Sequence, residues 1–200
     1  MHAEPIARQL HAQGYAIAPD FLPGPTWRDL HQEFGTWLSQ GKFRPAGIGK
    51  GPERQIQTDI RGDRICWWES ATPTDAQRET RTKLDELRTH LNHALFLGLH
   101  EFEGHYAIYP PGAGYQKHRD AFRDDDARTL SLVLYLNPDW RPGDGGELAL
   151  YPGSPASTVI VEPRAGTLAC FLSREITHEV RPARTERRSF AGWWKQSRPI

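Results

Sequence analysis

Leu130-Ser131-Leu132-Val133-Leu134-Tyr135-Leu136-Asn137-Pro138-Asp139 is the stretch that decides the fold. A β-rich apolar run ends abruptly in turn chemistry, which reads as a strand followed by a tight connection. The same sentence is written repeatedly on either side of it. Further runs fall at His105–Tyr109, Leu148–Tyr151, Thr158–Val161, Leu168–Leu172 and Ser189–Trp194. Between them stand Pro110-Pro111-Gly112, Asp144-Gly145-Gly146, Pro152-Gly153 and the Pro163–Gly166 segment. Short strands at this spacing predict a sandwich, a jelly roll or a barrel over residues 104–195.

Residues 1–100 have a different texture. Pro5–Gln13 carries Ile6 and Leu10 and reads as a short amphipathic helix, followed by a strand at Gly14–Ala18. Trp27, Leu30, Phe34 and Leu38 share one helical face, with Pro25 suited to the first turn. A longer helix runs from about Thr74 to Leu97, with Thr74 and Gln77 as a capping box and Leu84, Leu87, Leu91 and Leu95 as its stripe. These stripes predict core-facing supports. The whole is expected to be α+β and a single domain over 1–200, with helices in 1–100 supporting a β-rich core.

Composition excludes several classes. The 200 residues carry 25 basic and 25 acidic side chains, so a general nucleic-acid coat is excluded and nucleic acid is an unlikely partner. No apolar stretch is long enough to span a membrane, and the N-terminus lacks a signal-peptide core, so no membrane partner and a cytoplasmic location are expected. Cys66 and Cys170 read as separate buried thiols in a reducing compartment. Lys42–Arg64 holds six basic residues against three acidic and reads as a mobile, substrate-attracting loop at about 42–62. Its Gly47-Ile48-Gly49-Lys50-Gly51 lacks the GK[ST] ending of a phosphate loop. Asp124-Asp125-Asp126 reads as a solvated turn, and His90 and His93 as a solvated helix face.

The chemistry lies in Tyr115-Gln116-Lys117-His118-Arg119-Asp120. On a strand, His118 and Asp120 face the same way and can reach one metal. His178, 58 positions after Asp120, supplies a third ligand. Two imidazoles and a carboxylate leave open positions, the donor set of non-haem Fe(II) oxygenases. Arg187 follows nine residues after His178, suited to a bidentate grip on a carboxylate, with Ser189 facing the same way and Tyr135 in reach of the same anion. A metal at one end and an Arg/Tyr pair at the other fit 2-oxoglutarate.

These residues resemble a known family, the Fe(II)/2-oxoglutarate-dependent prolyl hydroxylases, in particular the oxygen-sensing protein prolyl hydroxylases of animals and their bacterial relatives. The resemblance rests on Tyr109-Pro110, Gly114-Tyr115, His118-x-Asp120, Tyr135-Leu136-Asn137-x-Asp139-Trp140, Gly145-Gly146-x-Leu148, His178-Glu179-Val180-x-Pro182-Ala183, Arg187 and Trp193. Upstream it includes Asp59-Ile60-Arg61-Gly62-Asp63-Arg64-Ile65-x-Trp67. It implies a distorted double-stranded β-helix (jelly roll) and hydroxylation of a prolyl residue in a protein. The cofactors it implies are Fe(II), 2-oxoglutarate as co-substrate, O₂ and ascorbate as reductant. His118, Asp120 and His178 resemble the iron ligands, and Arg187 with Tyr135 the 2-oxoglutarate anchor. Arg188 adjoins Arg187, so the anchor could slip by one; the family register favours Arg187. Tyr109 resembles a pocket tyrosine that hydrogen-bonds near the metal end, Tyr115 a substrate-binding residue, and Trp193 the wall beside the target proline. Asp63 and Arg128 resemble an ion pair that closes the loop, with Arg61 nearby. A monomer acting on a cytosolic protein, such as a translation component, completes this expectation. Two rival classes stay open from the residues: a 2-oxoglutarate oxygenase acting on a small molecule, free amino acid or nucleic acid, and a non-catalytic jelly-roll binding module.

Overall fold

The computed structural model describes residues 2–48, 55–68, 72–120, 128–153 and 157–196. Three helices, α1 (Ala3–Gln13), α2 (Gly24–Ser39) and α3 (Asp75–Leu95), precede most of the β structure. The strands are β1 (Tyr15–Ala18), β2 (Arg44–Pro45), β3 (Arg64–Trp67), β4 (Leu99–Tyr109), β5 (Tyr115–His118) and β6 (Arg128–Tyr135). They continue as β7 (Leu148–Tyr151), β8 (Val159–Val161), β9 (Leu168–Leu172), β10 (Thr177–Val180) and β11 (Arg187–Gln196).

Two antiparallel sheets form. The larger has seven strands in the order β1-β9-β6-β11-β4-β3-β2, and the smaller four in the order β5-β10-β7-β8. The crossovers between sheets make this the double-stranded β-helix expected from the motifs. The first hundred residues are not only helical support, because β1, β2 and β3 all join the larger sheet. β3 and β2 escape a periodicity search because they are short and their pairing partners are distant. β3 takes its register from β4, with Ile65 opposite Ala107 and Trp67 opposite His105.

Strand alternation sorts the larger sheet into two faces. From β6, Leu130, Leu132 and Leu134 enter a core with Leu30 and Phe34 of α2 and with Leu84, Leu87 and Leu91 of α3. Tyr135 points the other way and packs with Tyr109, Phe171 and Leu150 between the sheets. The helices thus cover one face and leave the other for a cavity between the sheets.

The cap of α3 departs from the expected box. Thr74 Oγ1 does accept the Gln77 backbone N–H at 3.3 Å. The Gln77 amide does not return to Thr74; it donates to Glu33 Oε1 of α2 at 2.7 Å. Glu33 also accepts from Tyr106 Oη at 2.7 Å and Thr74 Oγ1 at 2.6 Å. One carboxylate therefore ties α2, α3 and β4 together, a tertiary demand that outcompetes the local cap.

Candidate active site: a His/Asp/His cluster facing a buried arginine

One cavity of about 380 Å³ lies between the sheets, lined by His118, Asp120 and His178 and also by Arg187. β10 pairs with β5 so that His178 stands directly opposite His118. The ligand atoms of His118, Asp120 and His178 all lie within 4.8 Å of one another. Asp120 Oδ1 is 3.6 Å from His118 Nε2, and Oδ2 is 3.6 Å from His178 Nε2. The strand reading needs one correction here. β5 ends at His118, so Asp120 lies beyond it and is aimed by other contacts rather than by strand alternation.

Those contacts come chiefly from β6. Ser131 Oγ donates to Asp120 Oδ2 at 2.7 Å and also hydrogen-bonds Ser173 Oγ at 2.8 Å. Neither serine figured among the expected site residues, although a lone serine inside the apolar run of β6 is the kind of signal that marks one. Burial pushes the Asp120 carboxyl up, but the facing His178 and His118 side chains and the hydrogen bond from Ser131 more than reverse this. The group is held well below the usual carboxylate range, so it is an anion throughout the physiological window.

The histidines are presented for metal. His118 Nδ1 lies 2.7 Å from the Gln116 carbonyl, and His178 Nδ1 lies 3.3 Å from that of Ile176. A carbonyl only accepts, so each Nδ1 carries the proton and each Nε2 keeps its lone pair for a cation. Tyr115 stacks on His118 with ring centroids 3.6 Å apart. Burial brings the His178 imidazole down to about 4, which keeps it neutral as a ligand must be. The donor set therefore fits Fe(II) on its own chemistry.

Arg187 is the cationic counterpart. It is 3% exposed, and its guanidinium carbon lies 4.8 Å from the Tyr109 ring centre and 5.2 Å from that of Tyr135. Its Nε donates to the Gly146 carbonyl at 3.0 Å, and Nη1 to Ser189 Oγ at 2.8 Å. Gly146 has φ +75°, and a Cβ there would crowd the Arg187 stem at 3.2 Å. That explains the Gly145-Gly146 pair. Among the described residues no carboxylate pairs with Arg187. Tyr135 is fully enclosed, and among the described residues its hydroxyl has no partner within hydrogen-bond geometry. Burial pushes that phenol up to about 12 against the opposing Arg187 charge, so it stays a donor. A buried cation and an orphaned hydroxyl side by side call for an anionic ligand. They fit a carboxylate of 2-oxoglutarate.

Neighbouring Arg188 points to the other face, as alternation requires. Its guanidinium sits 5.2 Å from the Phe34 ring and its Nε donates to Glu186 at 2.7 Å. Of the two neighbouring arginines, Arg187 is the one that lines the cavity.

The remaining expected residues also gather at the cavity. Tyr109, Tyr115, Arg61, Asp63, Arg128 and Trp193 all line it. The Asp63–Arg128 ion pair is not formed. Asp63, 2% exposed, is held by Arg61 through Nε at 2.7 Å and Nη2 at 3.0 Å. Arg128 instead donates to Glu103 Oε1 through Nε at 3.0 Å and Nη2 at 2.7 Å. The sheet explains the exchange: Trp193 of β11 is flanked by Ser131 on one side and Glu103 on the other, bringing the start of β6 close to β4. Burial works against the Arg61 charge, yet the hydrogen bond and charge of Asp63 raise its pKa further still. Trp67 also lines the cavity, whereas Trp194 belongs to the core under the helices. Of the basic loop, Gly47 and Ile48 reach the site; Gly49–Gly51 and Asp124–Asp126 lie outside the described residues.

His105, which the sequence places only at the start of a strand run, lines the cavity at 2% exposure. Burial, then the charges of Arg61 and Arg128, bring it down to about 3, with Asp120 opposing. The unfolded chain takes this proton near 6.5 and the folded chain only near 3. The unfolded state therefore binds more protons between these values, and stability falls as pH drops through that window. By pH ~4.5 this one group costs about 2–3 kcal/mol. Urea melts at neutral and acid pH should show that loss, and His105→Phe should reduce it by about that amount. Equal acid sensitivity in the two proteins would remove His105 as its source.

The chain is similar to known proteins over most of its length. Residues 104–195 match the 2OG-Fe(II) oxygenase superfamily model. The chain is 39% identical to a prolyl-4-hydroxylase of Pseudomonas putida, whose crystal structure superposes with a TM-score of 0.88 over 98% of this chain and 100% of that one. A prolyl hydroxylase from Trichoplax adhaerens, solved with a peptide fragment of the hypoxia-inducible factor oxygen degradation domain, gives a TM-score of 0.87 at 28% identity over 97% of this chain and 89% of that one. Egl nine homolog 1 of Homo sapiens is 30% identical over 96% of this chain but only 46% of its own length. The chain thus spans about half of that relative. With a His/Asp/His cluster, a buried arginine opposite and a full-length match to the Pseudomonas putida enzyme, the chain belongs to the 2OG-Fe(II) oxygenase superfamily and, within it, to the prolyl hydroxylases.

Proposed function

We propose that this chain is an Fe(II)- and 2-oxoglutarate-dependent dioxygenase that hydroxylates a prolyl residue in a protein, releasing succinate and CO₂. The observation that carries this reading is the buried Arg187, without a carboxylate partner among the described residues, sharing one cavity with the His118/Asp120/His178 cluster. Fe(II), with 2-oxoglutarate and O₂, supplies the oxidising power that no side chain has.

The protein supplies placement. His118, Asp120 and His178 would hold the iron. Arg187 and the Tyr135 hydroxyl would take the distal carboxylate, so the co-substrate would lie in only one direction. Tyr109, beside Arg187, would close the pocket around the co-substrate. Trp193 walls the position of the target ring, and Tyr115, Arg61, Asp63 and Arg128 form the mouth through which the polypeptide enters. Holding the target in one pose is what restricts attack to one carbon.

The reading includes one domain of 1–200 acting as a monomer in the cytoplasm, with ascorbate as an accessory reductant and a translation component as the first target to test. Cys66 and Cys170 form no disulfide among the described residues, which suits that compartment. The deciding experiment is capture of targets from native lysate by the 2-oxoglutarate-loaded protein, followed by mass spectrometry. A 16 Da gain on proline, dependent on Fe(II) and 2-oxoglutarate, is expected. Reproducible modification of non-prolyl targets alone would overturn the prolyl assignment.

A further inference from the structure

The cavity wall away from Arg187 contains a group that holding iron and co-substrate does not use. Along β4, Glu103, His105, Ala107 and Tyr109 share one face. Register places His105 beside Trp67 on one side and Ala191 on the other. The His105 ring meets Trp67 edge-on at 4.7 Å and lies tilted against Trp193 at 5.4 Å. Trp193 in turn carries the Arg128 guanidinium at 3.7 Å, which Glu103 holds in place. Trp67, His105, Trp193 and Arg128 thus form one continuous row of neighbouring side chains in the cavity wall.

A position that only packed two indoles together would be served better by an apolar ring, because a buried imidazole must satisfy two nitrogens. His105 Nδ1 is enclosed and has no hydrogen-bond partner among the described residues. An enclosed lone pair is less costly than an enclosed N–H, so the proton belongs on Nε2. Burial and the flanking arginines keep the ring neutral. His105 therefore offers one N–H donor and no charge, and Nε2 is the nitrogen left to meet an occupant of the cavity.

The chemistry of the target matches. A prolyl residue has no backbone N–H, so its backbone can be recognised only through carbonyl acceptors. We propose that His105 is a substrate-binding residue whose Nε2–H donates to a peptide carbonyl beside the target proline, while its ring spaces the Trp67 and Trp193 walls. This rests on the polypeptide reading above and adds to it the residue that registers the chain.

The test uses a library of 13-residue peptides with one central proline and randomised flanks, scored for a 16 Da gain. Peptides modified by the wild type then serve as probes for His105→Phe, which keeps a ring without the donor, and His105→Gln, which keeps a donor without the ring. His105→Phe should raise both the peptide KM and the equilibrium peptide Kd about tenfold, the loss of one hydrogen bond. It should leave the KM for 2-oxoglutarate unchanged and increase succinate made without peptide hydroxylation. His105→Gln should return the peptide Kd to within about threefold of wild type. A wild-type Kd and KM in His105→Phe would overturn the proposal. So would equal losses in both variants accompanied by a matching fall in melting temperature, which would make His105 a packing residue. If the wild type modifies no peptide, the polypeptide reading itself fails and takes this inference with it.

Discussion

Asp120→Ala is expected to lower Fe(II)-dependent succinate formation by at least about 100-fold, because it removes the only anionic ligand of the cluster. The loss should be one of metal binding. Anaerobic titration should show weakened Fe(II) affinity, while the melting temperature of the metal-free protein changes far less. His178→Ala should behave in the same way. Ser131→Ala gives the graded version: it removes the 2.7 Å hydrogen bond that aims Asp120, without touching a ligand. Loss of such an orienting partner typically weakens metal affinity by about 10–100-fold. Ser131→Ala should therefore fall between wild type and Asp120→Ala and recover activity at high Fe(II). Wild-type succinate formation by Asp120→Ala would sink the assignment of the cluster.

The second large effect concerns the co-substrate. Arg187→Ala should raise the KM for 2-oxoglutarate by about 150–5,000-fold, in line with the ~3–5 kcal/mol cost of breaking a buried charge pair on one side. Arg187→Lys should recover little of it, since an ammonium cannot reproduce the planar fork that also reaches Gly146 and Ser189. Tyr135→Phe should cost about tenfold, the value of one hydrogen bond to a charged group. Arg188→Ala is the control. Its guanidinium lies against Phe34 and Glu186, so the KM should stay at the wild-type level. A large KM increase in Arg188→Ala with none in Arg187→Ala would move the anchor by one residue.

Much of this site was legible in the chain. The triad is visible because its residue types are few and metal chemistry limits the choice, and Arg187 because its register after His178 follows a repeating strand. Ser131 was harder to see, since a serine in a strand acquires meaning only when the partner across the cavity is known. The partners of Asp63 and Arg128 were misassigned for a related reason. Local sequence cannot reveal that β11 brings Glu103 toward Arg128 while Asp63 finds Arg61 two residues away. The capping box of α3 failed on the same ground, because Glu33 of another helix claims Gln77.

The sequence by itself determined the periodicities, the turns between strands and the donor types; these limit the β-rich half to a sandwich, jelly roll or barrel with an iron-type cluster, and the family resemblance singles out the jelly roll. Side-chain alternation and ligand chemistry are local properties, written in neighbouring residues. Which ions pair, which nitrogen of a histidine is left unpaired and what faces a cavity depend on groups up to a hundred residues apart. Only the tertiary structure decided these. It placed His105 between two tryptophans and left Arg187 without a carboxylate among the described residues, because burial removes the solvent that would otherwise satisfy both.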